Sequence, residues 1–201
     1  MIDLLAVFIY FFAVVDPIGT VPVFIAVTRH YSSAERRKIA FFAFLASTAI
    51  LLFFIVAGEL ILTAMKIPLE AFQVAGGIIL FLFALTMIFG ESKPDQEVKL
   101  AGSGRETAIF PLAVPSIASP GAILAAVLLT ENARYSLWEQ TQTALMLLAV
   151  LILTFVLMLA ASWIHRLLGA GGASLVSRVM GLILASVATA NTLAGIKAYF
   201  A

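Results

Sequence analysis

The chain has 201 residues, of which 63% are hydrophobic and 11% charged, with a mean hydropathy of +1.11, whereas a soluble domain carries about half apolar and a quarter charged residues. That balance predicts an integral membrane protein, and 16 Phe among long Leu, Ile, Val and Ala runs fit a helical bundle rather than the alternation of a membrane β-barrel. A net charge of +1 offers no field for nucleic acid, and the lack of cysteine removes disulfides, thiol redox chemistry and thiolate metal sites.

A membrane-spanning helix needs about 20 apolar residues at 1.5 Å rise each. Six segments meet that demand: 2–28, 38–64, 69–90, 109–130, 137–165 and 177–199. The first is read as a retained span, because Met1-Ile2-Asp3 has no basic region and the apolar run after it is too long for a cleaved signal. Ser32 followed by Glu35 has capping-box spacing just before the second span, and Pro68 suits the first turn of the third. The polar stretch 91–107, "ESKPDQEVKLAGSGRET", reads as a cytoplasmic linker. With it taken as 91–108, the chain divides into three-span halves at 1–90 and 109–201.

The halves look alike. "GIILFLFA" from Gly77 aligns with "GLILASVA" from Gly181 at an offset of 104, which pairs the third span with the sixth. Val15-Asp16-Pro17-Ile18-Gly19 and Ala118-Ser119-Pro120-Gly121 pair the first with the fourth at an offset near 103. A repeat of three spans inserts its second copy upside down, the plan of many secondary transporters. Basic residues give the orientation. Connectors after spans one, three and five hold Arg29, Arg36, Arg37, Lys38, Lys93, Lys99, Arg105, Arg166 and Arg178, against Lys66, Arg134 and Lys197 on the other side. The richer side faces the cytoplasm, so both termini are expected on the outer, periplasmic side.

The middle of the first span is unusual for a bilayer helix. Pro17 lacks an N–H and crowds the carbonyl one turn earlier, and Gly19 tolerates non-helical dihedrals, so the helix is expected to break near Asp16–Gly19. In the fourth span Pro111, Pro115, Ser116, Ser119, Pro120 and Gly121, within "PLAVPSIASPGA", predict the same. Irregular backbone at that depth is tolerated only inside protein or beside a wet cavity. Paired broken helices in corresponding halves point to a midplane substrate site. Half-helices starting near Gly19-Thr20 and Gly121-Ala122 would aim free N–H groups at a carboxylate. Asp16 is an acid at the bilayer centre, suited to a substrate ammonium or a coupling ion. An acceptor beside two donor-rich helix ends describes a pocket for a small zwitterion.

"VVDPIGTVPVF", "PLAVPSIASPGAI", "AGGIILFLFAL" and "MGLILASVATANTLAGI" closely resemble the MarC family, also designated UPF0056, whose members are six-span inner-membrane proteins of bacteria and archaea. The resemblance covers essentially the whole chain. Members called SnatA are described as transporters of small neutral amino acids such as glycine and alanine. The resemblance therefore implies amino-acid transport coupled to H⁺ or Na⁺, with Asp16, Pro17, Gly19, Pro115, Pro120 and Gly121 as the family-motif core. The family's fourth-span motif often has Gly where this chain has Ser119, which implies a narrower pocket or an added hydroxyl.

The expected fold is thus an all-α membrane protein of six transmembrane helices in two inverted repeats, with the first and fourth helices broken. The expected substrate site comprises Asp16, Pro17, Gly19, Thr20, Ser116, Ser119, Pro120, Gly121 and Asn191, with Asp16 also the coupling-ion group and Asn191 near it. No cofactor or metal is expected, and an enzyme is not, since the chain holds no Gly-x-Ser-x-Gly, His-Glu-x-x-His or mid-span His. The expected partners are the lipid bilayer, a zwitterionic amino acid and H⁺ or Na⁺, and a homo-oligomer is compatible with the pattern. Each residue also has a plainer reading. Asp16 before Pro17 is an ordinary helix start, and the prolines and glycines give shape. Thr189, Asn191 and Thr192 suit interhelical hydrogen bonds as well as substrate, with Gln73 and Thr86 weaker candidates. Glu59 reaches the outer interface or relays protons, and His30 and His165 fall beside arginines at the cytoplasmic interface. A channel would need a continuous polar stripe. The alternatives kept open are a membrane scaffold or assembly protein and an exporter of another small metabolite.

Overall fold

A computed structural model describes residues 2–89 and 107–201, without the side chains of 162, 165–171 and 173. The linker expected at 91–108, with Lys93, Lys99 and Arg105, lies almost wholly outside the described residues, as do the side chains of His165 and Arg166. In chain order the elements are α1 (Leu4–Val15), α2 (Pro17–Thr28), α3 (Ser33–Ala64), α4 (Leu69–Phe89), an irregular segment (Ala108–Ile117), α5 (Pro120–Leu128), α6 (Leu137–Leu159) and α7 (Ala161–Tyr199). Among the described residues five stretches are long and apolar enough to cross a bilayer, and the pair formed by the irregular segment and α5, bent by 58°, makes a sixth if it is one span. Val56 and Leu60 on α3 are 80% and 70% exposed. Apolar side chains bared to that extent along a 32-residue helix fit lipid, not water.

Both expected breaks are present. α1 ends at Val15 and α2 begins at Pro17, with only Asp16 between them. Twelve residues of α1 rise about 18 Å, which sets the break near the middle of a hydrocarbon layer about 30 Å thick. In the irregular segment Phe110 and Val114 are extended, at φ −133° and −132°. Each precedes a proline, whose ring disfavours the helical region for the residue before it. The fifth span ends earlier than expected. α6 stops at Leu159, the chain pivots at Ala160, and residues 161–165 belong to α7, whose apolar stretch runs Ser174–Tyr199.

The structure brings out a further repeat in the connectors. "YSSAER" from Tyr31 and "YSLWEQ" from Tyr135 stand 104 residues apart. Both form complete capping boxes, Ser32 with Glu35 and Ser136 with Glu139. Arg36 Nε donates to the Tyr31 carbonyl and Gln140 Nε2 to the Tyr135 carbonyl, each at 3.1 Å. Arg36 also donates to the carbonyls of Thr28 and Arg29 at 3.0 Å, satisfying the open end of α2.

The principal packing contacts have counterparts when the halves are exchanged. α3 lies on the irregular segment and α5, while α6 lies on α1 and α2. α2 meets α7 as α4 meets α5, and α1 meets α5 as α2 meets the irregular segment. α4 and α7 run antiparallel and pack most extensively of all, with Gly77 against Ala188 and Thr192, and Gly181 against Ala84, Met87 and Ile88. The aligned positions thus exchange partners: Gly77 meets Ala188, and Gly181 meets Ala84.

Candidate functional site

Asp16 holds the first break open and closed at once. Its backbone is left-handed (φ 53°, ψ 64°), a region that Asp tolerates better than bulky residues. Its N–H donates to the Phe12 carbonyl at 3.1 Å, ending α1. Its Oδ1 accepts from the Gly19 N–H at 3.0 Å, starting α2 as an N-cap before Pro17 at the first helical position. Its carbonyl accepts from both the Thr20 N–H and the Thr20 hydroxyl at 3.0 Å. Gly19 leaves room for this cap, because a Cβ there would collide with the Asp16 carboxylate folded over it and push the carboxylate aside.

Ser119 does the equivalent work in the second half. Extended at φ −69° and ψ 161°, it caps α5 by accepting from the Ala122 N–H at 3.1 Å. The same hydroxyl donates to the Val14 carbonyl at 2.7 Å, an end-of-helix carbonyl that α1 cannot satisfy itself. The hydroxyl that Ser119 adds to the motif thus ties one break to the other. Thr20 and Ser116 complete the link, their hydroxyl oxygens 3.4 Å apart. Asp16, Thr20, Ser116 and Ser119 are all at most 2% exposed.

The other expected site residues are distributed differently. Pro17 and Pro120 open α2 and α5, so the half-helices start at the prolines and not at Gly19-Thr20 and Gly121-Ala122. The N–H groups of Gly19, Thr20, Ala122 and Ile123 are taken by Asp16 and Ser119, so these are not the free donors expected for a carboxylate. Gly121 faces α4, where a Cβ would stand 2.8 Å from Leu80, and serves packing. Asn191 stands apart from Asp16: its Nδ2 donates to the Tyr10 hydroxyl at 2.6 Å. An amide on an apolar helix needs a partner, and the phenol of α1 supplies it. Thr189 and Thr192 donate back to carbonyls of their own helix, as does Thr86. Glu59 accepts from the backbone and side-chain N–H groups of Asn132 at 2.8 and 2.9 Å, anchoring the α5–α6 connector. His30 is exposed and accepts from Arg29.

In that connector lies Glu131, 2.8 Å from Arg134 and 14% exposed. Burial pushes its carboxyl above the ordinary value of 4.5, Arg134 opposes the rise, and Glu59 and Glu70 add to it. The folded protein therefore keeps this proton at a pH where the unfolded chain has released it. The resulting stabilisation is full below pH 4.5 and fades as pH rises through the raised value. Thermal melts of wild type and Glu131→Gln are expected to coincide in acid, the variant gaining as pH climbs. A gap that moved the other way would mean that the ion pair with Arg134 outweighs burial.

Residues 1–200 match the model of the "MarC family integral membrane protein". The chain belongs to the MarC family. The relatives of this MarC-family protein include the inner membrane protein YhgN of Escherichia coli K12, 35% identical over 200 residues and covering 98% of both chains. YvbG of Bacillus subtilis is 36% identical over 199 residues, covering 96% of this chain and 94% of its own. A membrane protein of Methanocaldococcus jannaschii is 35% identical over 189 residues, covering 92% of both. No solved structure matches. The MarC-family protein is thus a multi-pass integral membrane protein whose described residues form helices and no strand.

Proposed function

We propose that this MarC-family protein is a secondary transporter of small neutral amino acids of the glycine and alanine type, driven by H⁺ or Na⁺, and not an enzyme. The observation that carries the reading is the buried, ionisable Asp16 in a broken helix tied through Ser119 to a second broken helix. An ionisable group at mid-bilayer is expensive, and function is the usual reason for it. The amino-acid class comes from the resemblance to SnatA-type members. The inner membrane is taken from the E. coli relative, and the outer placement of both termini from the basic residues.

The architecture we infer is two inverted three-helix repeats. Three aligned pairs support it: the proline breaks, the connector boxes and the glycines of α4 and α7, at offsets of 103 to 104. The exchange of partners between Gly77 and Gly181 on antiparallel helices is the pattern a two-fold axis in the membrane plane produces. In such a frame the repeats rock about their breaks and open the centre to each side in turn.

A second reading has one observation in its favour. Asp16 and Ser119 spend hydrogen bonds on their own helix ends, as they would in a scaffold whose breaks only shape the bundle. Uptake of labelled glycine and alanine into proteoliposomes, with and without an imposed pH or Na⁺ gradient, tests the transport reading. Gradient-stimulated accumulation is the expected result, and none under any gradient, with correctly inserted protein, would sink the amino-acid assignment and leave the scaffold and a carrier of another small metabolite, which an unbiased substrate screen separates.

A further inference from the structure

The end of the bundle that carries the N-terminus differs from the packed centre. There the halves part around a cavity of about 150 Å³. The first half lines it with Tyr10, Glu70 and Gln73, the second with Glu131, Arg134 and Asn191. In a chain with 11% charged residues, two carboxylates and a guanidinium around one small space is a concentration of charge that packing does not need. Arg134 meets Glu131 through Nε, and a guanidinium has further donors on its two Nη nitrogens, in a fork that matches a second carboxylate. Glu70 is an acceptor for an ammonium, and the two amides serve either end of a ligand.

The floor of this cavity is the hydrogen bond from Asn191 to Tyr10, which joins α7 to α1. Tyr10 precedes Asp16 by six residues, about 9 Å along α1. The cavity therefore stops a short step from the break. At the opposite end Ala113, Ser177 and Met87, reached from Tyr10, Gln73 and Asn191 by the repeat offset, are all at most 2% exposed. The cavity described there, of about 170 Å³, has Arg36 and Arg37 in its lining, whereas the outer one pairs its guanidinium with Glu70 and Glu131.

We propose that this cavity is an outer binding site for a small zwitterion, with Arg134 receiving the carboxylate, Glu70 the ammonium, and the Tyr10–Asn191 hydrogen bond closing the way to Asp16. The proposal rests on the transport reading and names where its substrate first binds. A solute seated there meets both halves at once, so its binding favours whichever arrangement brings Arg134 and Glu70 to the right separation.

The natural absence of cysteine allows a direct test. The full chain carrying Leu69→Cys, an apolar lining residue with no part in holding the ligand, is held in lipid nanodiscs and labelled with a charged, membrane-impermeant thiol reagent. Leu129→Cys, in the same lining, gives the reading if the first variant does not fold. Glycine or alanine at ten times its Kd is expected to slow labelling about tenfold by occupancy. Acetate and methylammonium, each with one of the two charges, are expected not to, and added Arg134→Gln or Glu70→Gln is expected to remove the protection. Unprotected labelling in a protein that still accumulates glycine in proteoliposomes would overturn the outer site and leave transport standing. Protection without uptake would keep the site and sink the transport reading, and neither would sink both. Protection by acetate equal to that by glycine would make this an anion site and end the zwitterion assignment.

Discussion

Asp16→Asn is expected to reduce gradient-driven uptake to the level of empty liposomes while leaving the protein folded. Asparagine tolerates the left-handed backbone at φ 53° as aspartate does, and its amide oxygen still accepts from the Gly19 N–H. The variant therefore keeps the shape of the break and removes the charge alone. Asp16→Ala gives the contrast. It is expected to lose uptake and also about 1 kcal/mol of stability from the cap, with about 1 kcal/mol more for alanine in the left-handed region. Uptake by reconstituted protein, beside thermal unfolding in the same lipid, reads both quantities. Asp16→Asn at wild-type rates would mean that the carboxylate serves only as a cap and that the driving ion binds elsewhere. Normal uptake by Asp16→Ala as well would remove the break from the mechanism.

That contrast follows from what was and was not legible in the sequence. The breaks could be read because proline and glycine act locally: Pro17 and Pro120 stop a helix whatever surrounds them. Where the half-helices restart was open to two readings, since it turns on which side chain caps: Asp16 before Pro17 as an ordinary helix start, or a start near Gly19-Thr20. Asp16 and Ser119 take the N-cap positions, so the helices begin at the prolines and use the N–H groups that had been assigned to a carboxylate. The end of the fifth span was hidden for the opposite reason. Ala160 lies in a continuous apolar run with no proline or glycine to mark it, and the chain pivots there all the same. The match between "YSSAER" and "YSLWEQ" was visible in principle. It sits in short polar connectors, outside the apolar spans in which a repeat is first sought, and its meaning comes from the paired capping boxes and carbonyl contacts. The bond between Tyr10 and Asn191, separated by 181 residues, depends on how the halves pack and has no local signature.

The same repeat makes a second large effect testable. Gly77→Val and Gly181→Val are each expected to destabilise the protein by about 1–3 kcal/mol, through overpacking of the seam between α4 and α7. A Cβ at Gly77 would collide with the Thr192 side chain and stand 3.0 Å from the Ala188 carbonyl oxygen and the Thr192 nitrogen. One at Gly181 would stand 2.9 Å from Ile88 Cγ1 and 3.1 Å from the Ala84 carbonyl oxygen. Gly77 faces two backbone atoms of α7, which cannot rotate away as a side chain can, so its variant is expected to lose more. The crossing points near Gly77 and Ala84 are seven residues apart on α4, about 10 Å, so the losses should add in the double variant. Unfolding in lipid, followed by accessibility to a protease or by loss of monodispersity, measures all three proteins. Losses confined to one glycine would contradict a seam in which each half meets the other through equivalent residues. Matched losses that add would support one, and halves that rock about their breaks need such a seam to stay joined as they move.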